Sequence, residues 1–341
     1  MVAVAAGHLD VEQLAAPGAC DHNRREVAGV AFAVILDQDS LGRADEAVEP
    51  AGPAGSGGFS QAGRAGLHQL RSELPLDEDQ MRATAPSIFA AGKHESRSER
   101  YTYIPTIDVL RGLRKEGFEP FLVAQSRCRL EGKSEYTKHM IRMRHAAQVN
   151  ARAEANEIIL INSHDGASSY QMLAGLFRFV CCNGLVVGDV VNDIRISHKG
   201  NIRGEVIEGA FRVLEEFEAV EQHAEAMKAL PLEPPEVTAF ATAALALRFG
   251  ERTVEEGGGH VPAPVTAEQL NEARRIEDIG HDLWTTFQRV QENVIRGGQR
   301  GRSAQGRRLQ TRPVGSIDRG VTLNRALWML AEEMRKLKAA L

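Results

Sequence analysis

Two apolar runs separated by one polar turn constrain the fold of this chain more than any other feature of its sequence. The first run, NEIILINS, ends at Ser163, and the second, SYQMLAGLFRFV, begins at Ser169. His164, Asp165 and Gly166 stand between them. Asp-Gly is a strong hairpin signal because glycine accepts positive φ. The sequence therefore predicts a central hairpin whose polar turn lies at one end of a sheet.

Further strands and helices are predicted on both sides of this hairpin. EPFLVAQSRCRL and YTKHMIRMRH form a preceding hairpin, and CNG is a second turn that leads towards the strand DIRISHK. Thr106 is expected to cap a helix that ends at Gly117. NIRGEVIEGAFRVLEEFEAVEQHAEAMKAL repeats apolar residues at three- and four-residue steps, which predicts a long amphipathic helix, and three shorter helices follow. The predicted class is α+β: an antiparallel sheet of about five strands with a long helix packed on it, plus a helical C-terminal part.

Composition divides the chain into three regions. Residues 1–70 include EAVEPAGPAGSGGFSQAGRAG, which predicts a low-complexity segment. That segment is either disordered or an extension upstream of the true start, for which Met81 is one candidate. Residues 71–232 form the predicted α+β core, and residues 233–341 a helical region with an Arg/Gly-rich loop. The formal net charge of -5 excludes a wholly basic nucleic-acid packer but allows a local basic face.

Cysteine usage and hydropathy bear on the compartment. The four cysteines include no CxxC pair, which argues against a disulfide framework or a zinc ribbon and favours a reducing environment. The N-terminal residues lack the basic region and apolar core of a secretory signal. No stretch reaches the roughly 18 apolar residues that a membrane span needs. The expected location is the cytoplasm, with no membrane partner.

Basic residues collect in two places. On the predicted strands, alternation would place Lys138, Arg142 and Arg144 on one face, next to basic residues of the partner strand. The loop RGGQRGRSAQGRRLQTRP contains six arginines and no acidic residue, and its Gly and Ser predict flexibility. Because guanidinium groups match phosphate oxygens, both groups are candidates for nucleic-acid binding, although a solvated strand face is the simpler alternative for the first. The predicted binding residues are Arg127, Arg129, Lys138, Arg142, Arg144, Arg178, Arg195, Lys199, Arg302, Arg307 and Arg308.

Catalytic chemistry has weaker support in the sequence. His164 and Asp165 could bind a metal ion only with help from residues such as Asp189 and His198, and no spacing selects these. A turn role for the first pair and a buried role for Cys182 are simpler interpretations. The phosphate-loop, HExxH, GxSxG and GxGxxG patterns are missing in the required context. No catalytic residue and no cofactor are therefore predicted, and a divalent metal enters only under a nuclease hypothesis.

The motifs above, with RSERYTYIPTIDVLRGLRKEGFEPF and LWTTFQRVQENVIRGG, resemble the domain-of-unknown-function 932 family of phage- and plasmid-like proteins. The resemblance runs from about Arg71 to the C-terminus. It implies work on mobile DNA, on its replication or repair, or against host defences. The residues that carry the family motif are His164, Asp165, Gly166, Arg178, Cys182, Asn183 and Gly184.

Three functions are compatible with these patterns. The first is DNA binding, with single-stranded DNA favoured, in annealing or recombination, since the predicted topology resembles that of phage annealing recombinases by analogy alone. The second is a metal-dependent nuclease or phosphodiesterase. The third is an interaction protein that binds a host factor through the helices of Trp284 and Trp328, for which core packing is the simpler interpretation. The sequence leaves a homo-oligomer open in each case.

Overall fold

Seven strands of the described chain pair into one antiparallel sheet. The computed structural model describes residues 67–130, 132–146, 154–179, 183–187, 194–196, 202–250, 252–253, 260–261 and 263–340. The strands are β1 (Leu67–Arg71), β2 (Phe118–Ser126), β3 (His139–His145), β4 (Glu154–Asn162), β5 (Tyr170–Arg178), β6 (Asn183–Val186) and β7 (Ile194–Ile196). They follow one another from β1 to β6 across the sheet, while β7 pairs with the start of β5 and β6 with its end.

Seven α-helices and two small hairpins are the main elements outside the sheet in the part of the chain that the structure describes. The helices are α1 (Glu78–Thr84), α2 (Thr106–Lys115), α3 (Ile202–Lys228), α4 (Pro234–Phe249), α5 (Ala267–Leu270), α6 (Leu283–Arg296) and α7 (Ile317–Ala339). The hairpins pair β8 (Arg252–Thr253) with β9 (His260–Val261), and β10 (Arg300–Arg302) with β11 (Arg308–Gln310). The predicted α+β class, with an antiparallel sheet, a long helix and a helical C-terminal part, is confirmed.

The sheet is buried on both faces where β4 and β5 cross its centre. Ile158 and Leu160 of β4 join the main hydrophobic core, which also receives α3 and the C-terminal helices. Ile159 and Ile161 point the other way and pack in a second cluster with Ile317 of α7. Burial on both faces explains why this strand reads as a continuous apolar run instead of an alternating one.

The long helix buries the apolar face that its spacing predicted. Val213, Phe217, Val220, Ala224 and Met227 are all in the main core. The earlier members of the predicted stripe lie on α3 too, but their side chains are outside the described part of the chain. Burial of this single stripe holds the helix against the sheet.

The C-terminal helices share this core with the sheet. The rings of Trp284 and Phe287 on α6 and of Trp328 on α7 form a mutual cluster, with centroids 5.7 to 6.4 Å apart. The Nε1 of Trp284 donates a hydrogen bond to Glu154 of β4 at 2.9 Å. Both tryptophans are therefore core residues, which removes them as the contact surface of the interaction-protein hypothesis. None of the helices that the structure describes is long and apolar enough to cross a membrane.

The structure describes the predicted low-complexity segment only from Leu67, where strand β1 starts, and residues 1–66 lie outside the described residues. Three local expectations were wrong. Strand β2 ends at Ser126 and does not continue through the predicted RCRL. Asn183 begins strand β6 instead of forming a turn with the glycine that follows. Pro105 occupies the N-cap position of α2, and Thr106 is its first helical residue. The added strands β1 and β6 raise the sheet above the expected five.

Candidate functional site

The arginines of β3 lie on one face, as alternation predicted, but they are not exposed. Arg142 and Arg144 are only 6% and 2% exposed. Both donate to the carboxylate of Glu157 on β4, Arg142 through Nε at 2.5 Å and Arg144 through Nε at 3.0 Å. The Arg144 guanidinium also lies 3.6 Å from the ring centroid of Phe177. These two arginines belong to an internal ion-pair cluster, so the expectation of an open basic face here is wrong.

Gly184 leaves the space that the Arg142 guanidinium occupies. A Cβ at position 184 would collide with all three guanidinium atoms nearest to it. With hydrogen in that position, the Arg142 side chain reaches from β3 to β6 and donates to the carbonyl of Leu185 at 2.5 Å. The glycine that suggested a turn is thus a strand residue, required for close approach of a side chain.

The other predicted basic residues divide into paired, exposed and undescribed groups. Lys138 binds Asp318 at 2.6 Å, and Arg178 binds Asp278 at 2.5 Å, so each already has a carboxylate partner. Arg127 and Arg129 are exposed in the segment after β2. The backbone of Arg195 lies in β7. The side chain of Arg195 and the whole of Lys199 are outside the described residues.

The arginine-rich loop folds as a defined structure, which we call the arginine hairpin (residues 299–312). Strands β10 and β11 pair in antiparallel register, with Arg302 opposite Arg308. Ser303 and Arg307 close a three-residue loop whose last residue, Gly306, has φ +77°. Glycine in the left-handed region at this position is the signature of a three-residue hairpin loop. The expectation of a flexible segment is therefore wrong.

Backbone contacts fix the arginine hairpin against the rest of the chain. The N–H of Arg302 donates to the carbonyl of Pro264 at 2.9 Å, and the side-chain amide of Gln269 on α5 donates to the backbone carbonyl of Arg300 at 2.8 Å. Gly301 permits this approach, because a Cβ there would overlap the Pro264 carbonyl. The hairpin consequently presents its side chains from a fixed backbone.

The outward side chains of the arginine hairpin carry a concentrated positive charge. None of its arginines forms an ion pair with a carboxylate in the part of the chain that the structure describes. The segment from Arg296 to Pro313 has neither acidic nor aromatic residues. The exposed arginines are Arg300, Arg302, Arg307, Arg308 and Arg312. Such a surface suits phosphate oxygens and offers no ring for base stacking.

The second candidate region is the HDG turn (Ser163–Ser169), which joins β4 to β5. Gly166 has φ +75°, as the Asp-Gly signal predicted. Asp165 accepts a hydrogen bond from the N–H of Ala167 at 2.9 Å and lies 3.3 Å from the ammonium of Lys133. These contacts give the carboxylate a turn-stabilising role within the described residues.

A segment that precedes α2 covers the HDG turn. The N–H of His94 donates to the carbonyl of His164 at 2.9 Å, and the Tyr101 hydroxyl donates to the carbonyl of Ser163 at 2.8 Å. Burial and then the nearby Asp165 raise the pKa of Tyr101. His164 is fully buried, with its ring 4.9 Å from that of Tyr103. The imidazole is therefore closed off from solvent in this arrangement.

His139 connects the HDG turn to a buried polar network. Its Nδ1 is 2.9 Å from the hydroxyl oxygen of Ser87. Because the Ser87 hydroxyl donates its hydrogen to Gln125, its oxygen accepts from the ring, and Nδ1 of His139 carries the proton. Its Nε2 is 2.9 Å from the hydroxyl of Thr106, whose oxygen accepts from Asn162. Burial first, and the neighbouring His164 second, lower the pKa of His139 to about 3. The ring is neutral at pH 7, and Thr106 serves this network instead of capping α2.

Few potential metal ligands lie near the HDG turn among the described residues. Within the described ranges, no group of three or more His, Cys, Asp or Glu residues is placed to hold a metal ion. Asp189 and His198, which the nuclease hypothesis needs, lie outside those ranges, as does Cys182. Of the proposed ligand set, His164 and Asp165 are the two members within the described residues, and they are neighbours in the HDG turn.

Sequence reasoning missed two parts of these regions. Arg97, Lys133 and Tyr101 contact or approach the HDG turn from distant segments, and no local pattern marks them. The arginine hairpin did carry a local signal, because Gly306 follows a short polar loop between matched strands. The absence of long apolar runs on either side masked that signal.

Comparisons with known proteins agree on one family. The family model described as Domain of unknown function (DUF932) matches residues 93–328. Two proteins of Escherichia coli (strain K12), UPF0380 protein YafZ and UPF0380 protein YfjQ, are each 50% identical over 275 residues. Each alignment covers 81% of this chain and 96% of the relative. No solved structure matches the chain.

Proposed function

The chain belongs to the DUF932 family, as its motifs predicted, and on that premise we propose that it binds nucleic acid through the arginine hairpin. The proposed ligand is DNA of mobile elements, with single-stranded DNA favoured, and the proposed compartment is the cytoplasm. Annealing or recombination of such DNA is the proposed context.

One observation carries the proposal: five exposed arginines on a fixed hairpin with no carboxylate among them. A phosphate backbone is the ligand that best neutralises such a surface, since each Arg–phosphate contact also releases a condensed counterion. Because aromatic residues are missing from the hairpin, contacts to bases by stacking are not expected from it. The proposed binding is therefore electrostatic and tolerant of sequence, which suits a protein that acts on DNA of many sequences.

The exposed Arg127 and Arg129 are proposed as a second, weaker contact. They follow β2, and both side chains are exposed. Arg142 and Arg144 are left out of the proposed interface, because their guanidinium groups are buried against Glu157. Lys138 and Arg178 are left out because each is bonded to an aspartate.

The proposal is tested by fluorescence anisotropy with labelled single-stranded and duplex DNA between about 50 and 200 mM salt. The triple variant Arg302→Gln, Arg307→Gln, Arg308→Gln should bind more weakly. Its slope of log affinity against log salt should be shallower by about 1.5 to 3, since the three arginines together contact two or three phosphates.

A matched control removes three cations that already have partners. Arg111, Arg335 and Lys336 are bonded to Glu78, Glu332 and Glu333, and changing all three to glutamine should leave the slope unchanged. Equal losses in the two triple variants would reject the arginine hairpin as the interface. Cleavage of the DNA that depends on added Mg²⁺ would instead favour the nuclease hypothesis.

A further inference from the structure

Two arginines of the hairpin face each other directly. Arg302 and Arg308 are cross-strand partners. Two other pairs of the same ladder are hydrogen-bonded, one of them one position and the other three positions away: the N–H of Ser303 donates to the carbonyl of Arg307, and the N–H of Thr311 donates to the carbonyl of Gln299, both at 2.9 Å. Counting alternate pairs from these, Arg302 and Arg308 form a non-hydrogen-bonded pair, in which Cα atoms approach to about 4.5 Å and side chains are closest.

Two like charges in this arrangement repel each other. Directly opposed like charges destabilise an antiparallel ladder, and no carboxylate in the described residues stands between this pair. The repulsion is relieved if an anion lies between the two guanidinium groups. Arg302 is already oriented in part, because its Nη1 donates to the carbonyl of Gly306 at 3.2 Å.

We propose that Arg302 and Arg308 form a clamp that holds a single phosphate group between them. The inference rests on the proposed function for the identity of the ligand, which is one phosphodiester of a nucleic-acid backbone. It adds that the two arginines act on the same phosphate, while Arg300, Arg307 and Arg312 contact others. Two guanidinium forks can together supply four N–H donors to one phosphate, a parallel pair from each fork.

The clamp is tested first without nucleic acid, by the melting temperature of the full chain. Arg302→Gln and Arg308→Gln should each raise the melting temperature in chloride buffer by about 1–2 °C, because each removes the same repulsion. The double variant should show no further rise. Inorganic phosphate should raise the melting temperature of the unmodified chain above that in chloride at equal ionic strength, and this gain should vanish in both single variants.

Arg300→Gln is the matched control on the same face. Arg300 stands opposite the neutral Gln310, so its removal relieves no directly opposed like-charge pair and should raise the melting temperature in chloride less than either variant at Arg302 or Arg308. The rise in melting temperature that inorganic phosphate causes should also persist in this variant.

The second arm measures DNA affinity in a double-mutant cycle. Each single variant at Arg302 or Arg308 should lose about tenfold in affinity. The double variant should lose little more than either single variant, since one phosphate is lost in all three cases. Arg307→Gln combined with Arg300→Gln should show losses that multiply, since separate phosphates are involved.

The outcomes separate the clamp from the proposed function. DNA binding with losses that multiply at Arg302 and Arg308, and no rise in melting temperature, would overturn the clamp and leave DNA binding in place. Phosphate stabilisation that needs both arginines, without DNA binding, would support the clamp and reject the proposed function. A chain that responds to neither phosphate nor DNA would reject both.

Discussion

At the scale of single residues, the buried charged side chains of the sheet are each paired with a residue on a neighbouring strand. Alternation along β3 correctly placed Arg142 and Arg144 on one face. It could not predict their burial, because the cover over that face includes α7, which is distant in sequence. Glu157 likewise gave no local sign of its role, since its pairing depends on the register of β3 with β4.

Glu157→Gln should therefore destabilise the fold strongly. The carboxylate is 1% exposed and binds both arginines, so its neutralisation leaves two buried cations without their counterion. The expected loss in the free energy of unfolding is about 3–5 kcal/mol, measured by urea denaturation. Glu333→Gln, at an exposed pair with Lys336, should change it by less than about 1 kcal/mol. Similar values for the two variants would show that the internal cluster contributes no more than a surface pair.

Gly184→Ala tests the space that Arg142 occupies. The added methyl group would collide with the guanidinium and should lower the free energy of unfolding by about 1–3 kcal/mol. Gly112→Ala is the control, since nothing lies within 4 Å of its Cβ position on α2. There alanine should raise the free energy of unfolding by up to about 1 kcal/mol. A neutral or stabilising effect at position 184 would contradict the close packing of Arg142.

At the scale of elements, agreement with the sequence followed the strength of the local pattern. Helix α3 and the β4–β5 hairpin were predictable, because one had a three- and four-residue stripe and the other two long apolar runs around Asp-Gly. Strand β6 was not predictable from the sequence, because the Asn-Gly at its start is also a turn signal. The arginine hairpin was not predictable either, because its strands are short and polar. Elements held by contacts to other segments carry little signal of their own.

The network around His139 links β3 to α2 and should make stability depend on pH. The pKa of His139 is about 3 in the folded protein, below the ordinary value of 6.5. As the pH falls, this ring is therefore protonated in the unfolded chain at a higher pH than in the folded protein. The stabilising contribution is complete above pH 6.5 and declines as the pH falls towards 3. About 1.4 kcal/mol per pH unit, or roughly 3 kcal/mol between pH 6.5 and 4.5, should be lost.

Urea denaturation at a series of pH values checks this expectation. His139→Gln should flatten the dependence in that window, because glutamine has no proton to gain. Its stability at pH 7 should fall, since the bonds to Ser87 and Thr106 are altered. An unchanged slope in this variant would mean that other groups cause the acid sensitivity.

At the scale of the whole molecule, the sheet and the C-terminal helices share one core. Composition suggested a division between residues 71–232 and 233–341, but Trp284, Phe287 and Trp328 pack in the same cluster as Ile158 and Val220. Composition reports how a segment differs from its neighbours, and it does not report which surfaces meet. Elements that bury one continuous core are expected to unfold together.

A single unfolding transition should therefore be seen by two probes. Both tryptophans lie on the C-terminal helices, so their fluorescence reports on that part, whereas far-ultraviolet circular dichroism reports on secondary structure throughout. The two melting curves should coincide. Two separated midpoints would show that the C-terminal helices unfold independently of the sheet.

The attachment of the arginine hairpin to Pro264 and α5 has a thermodynamic consequence for binding. The hairpin backbone is already ordered in the free chain, so complex formation does not have to fold it. A segment that folds on binding buries new apolar surface and gives a large negative heat-capacity change. Calorimetry at several temperatures should instead find a small heat-capacity change, with the heat of binding nearly constant, as expected when rigid charged surfaces meet.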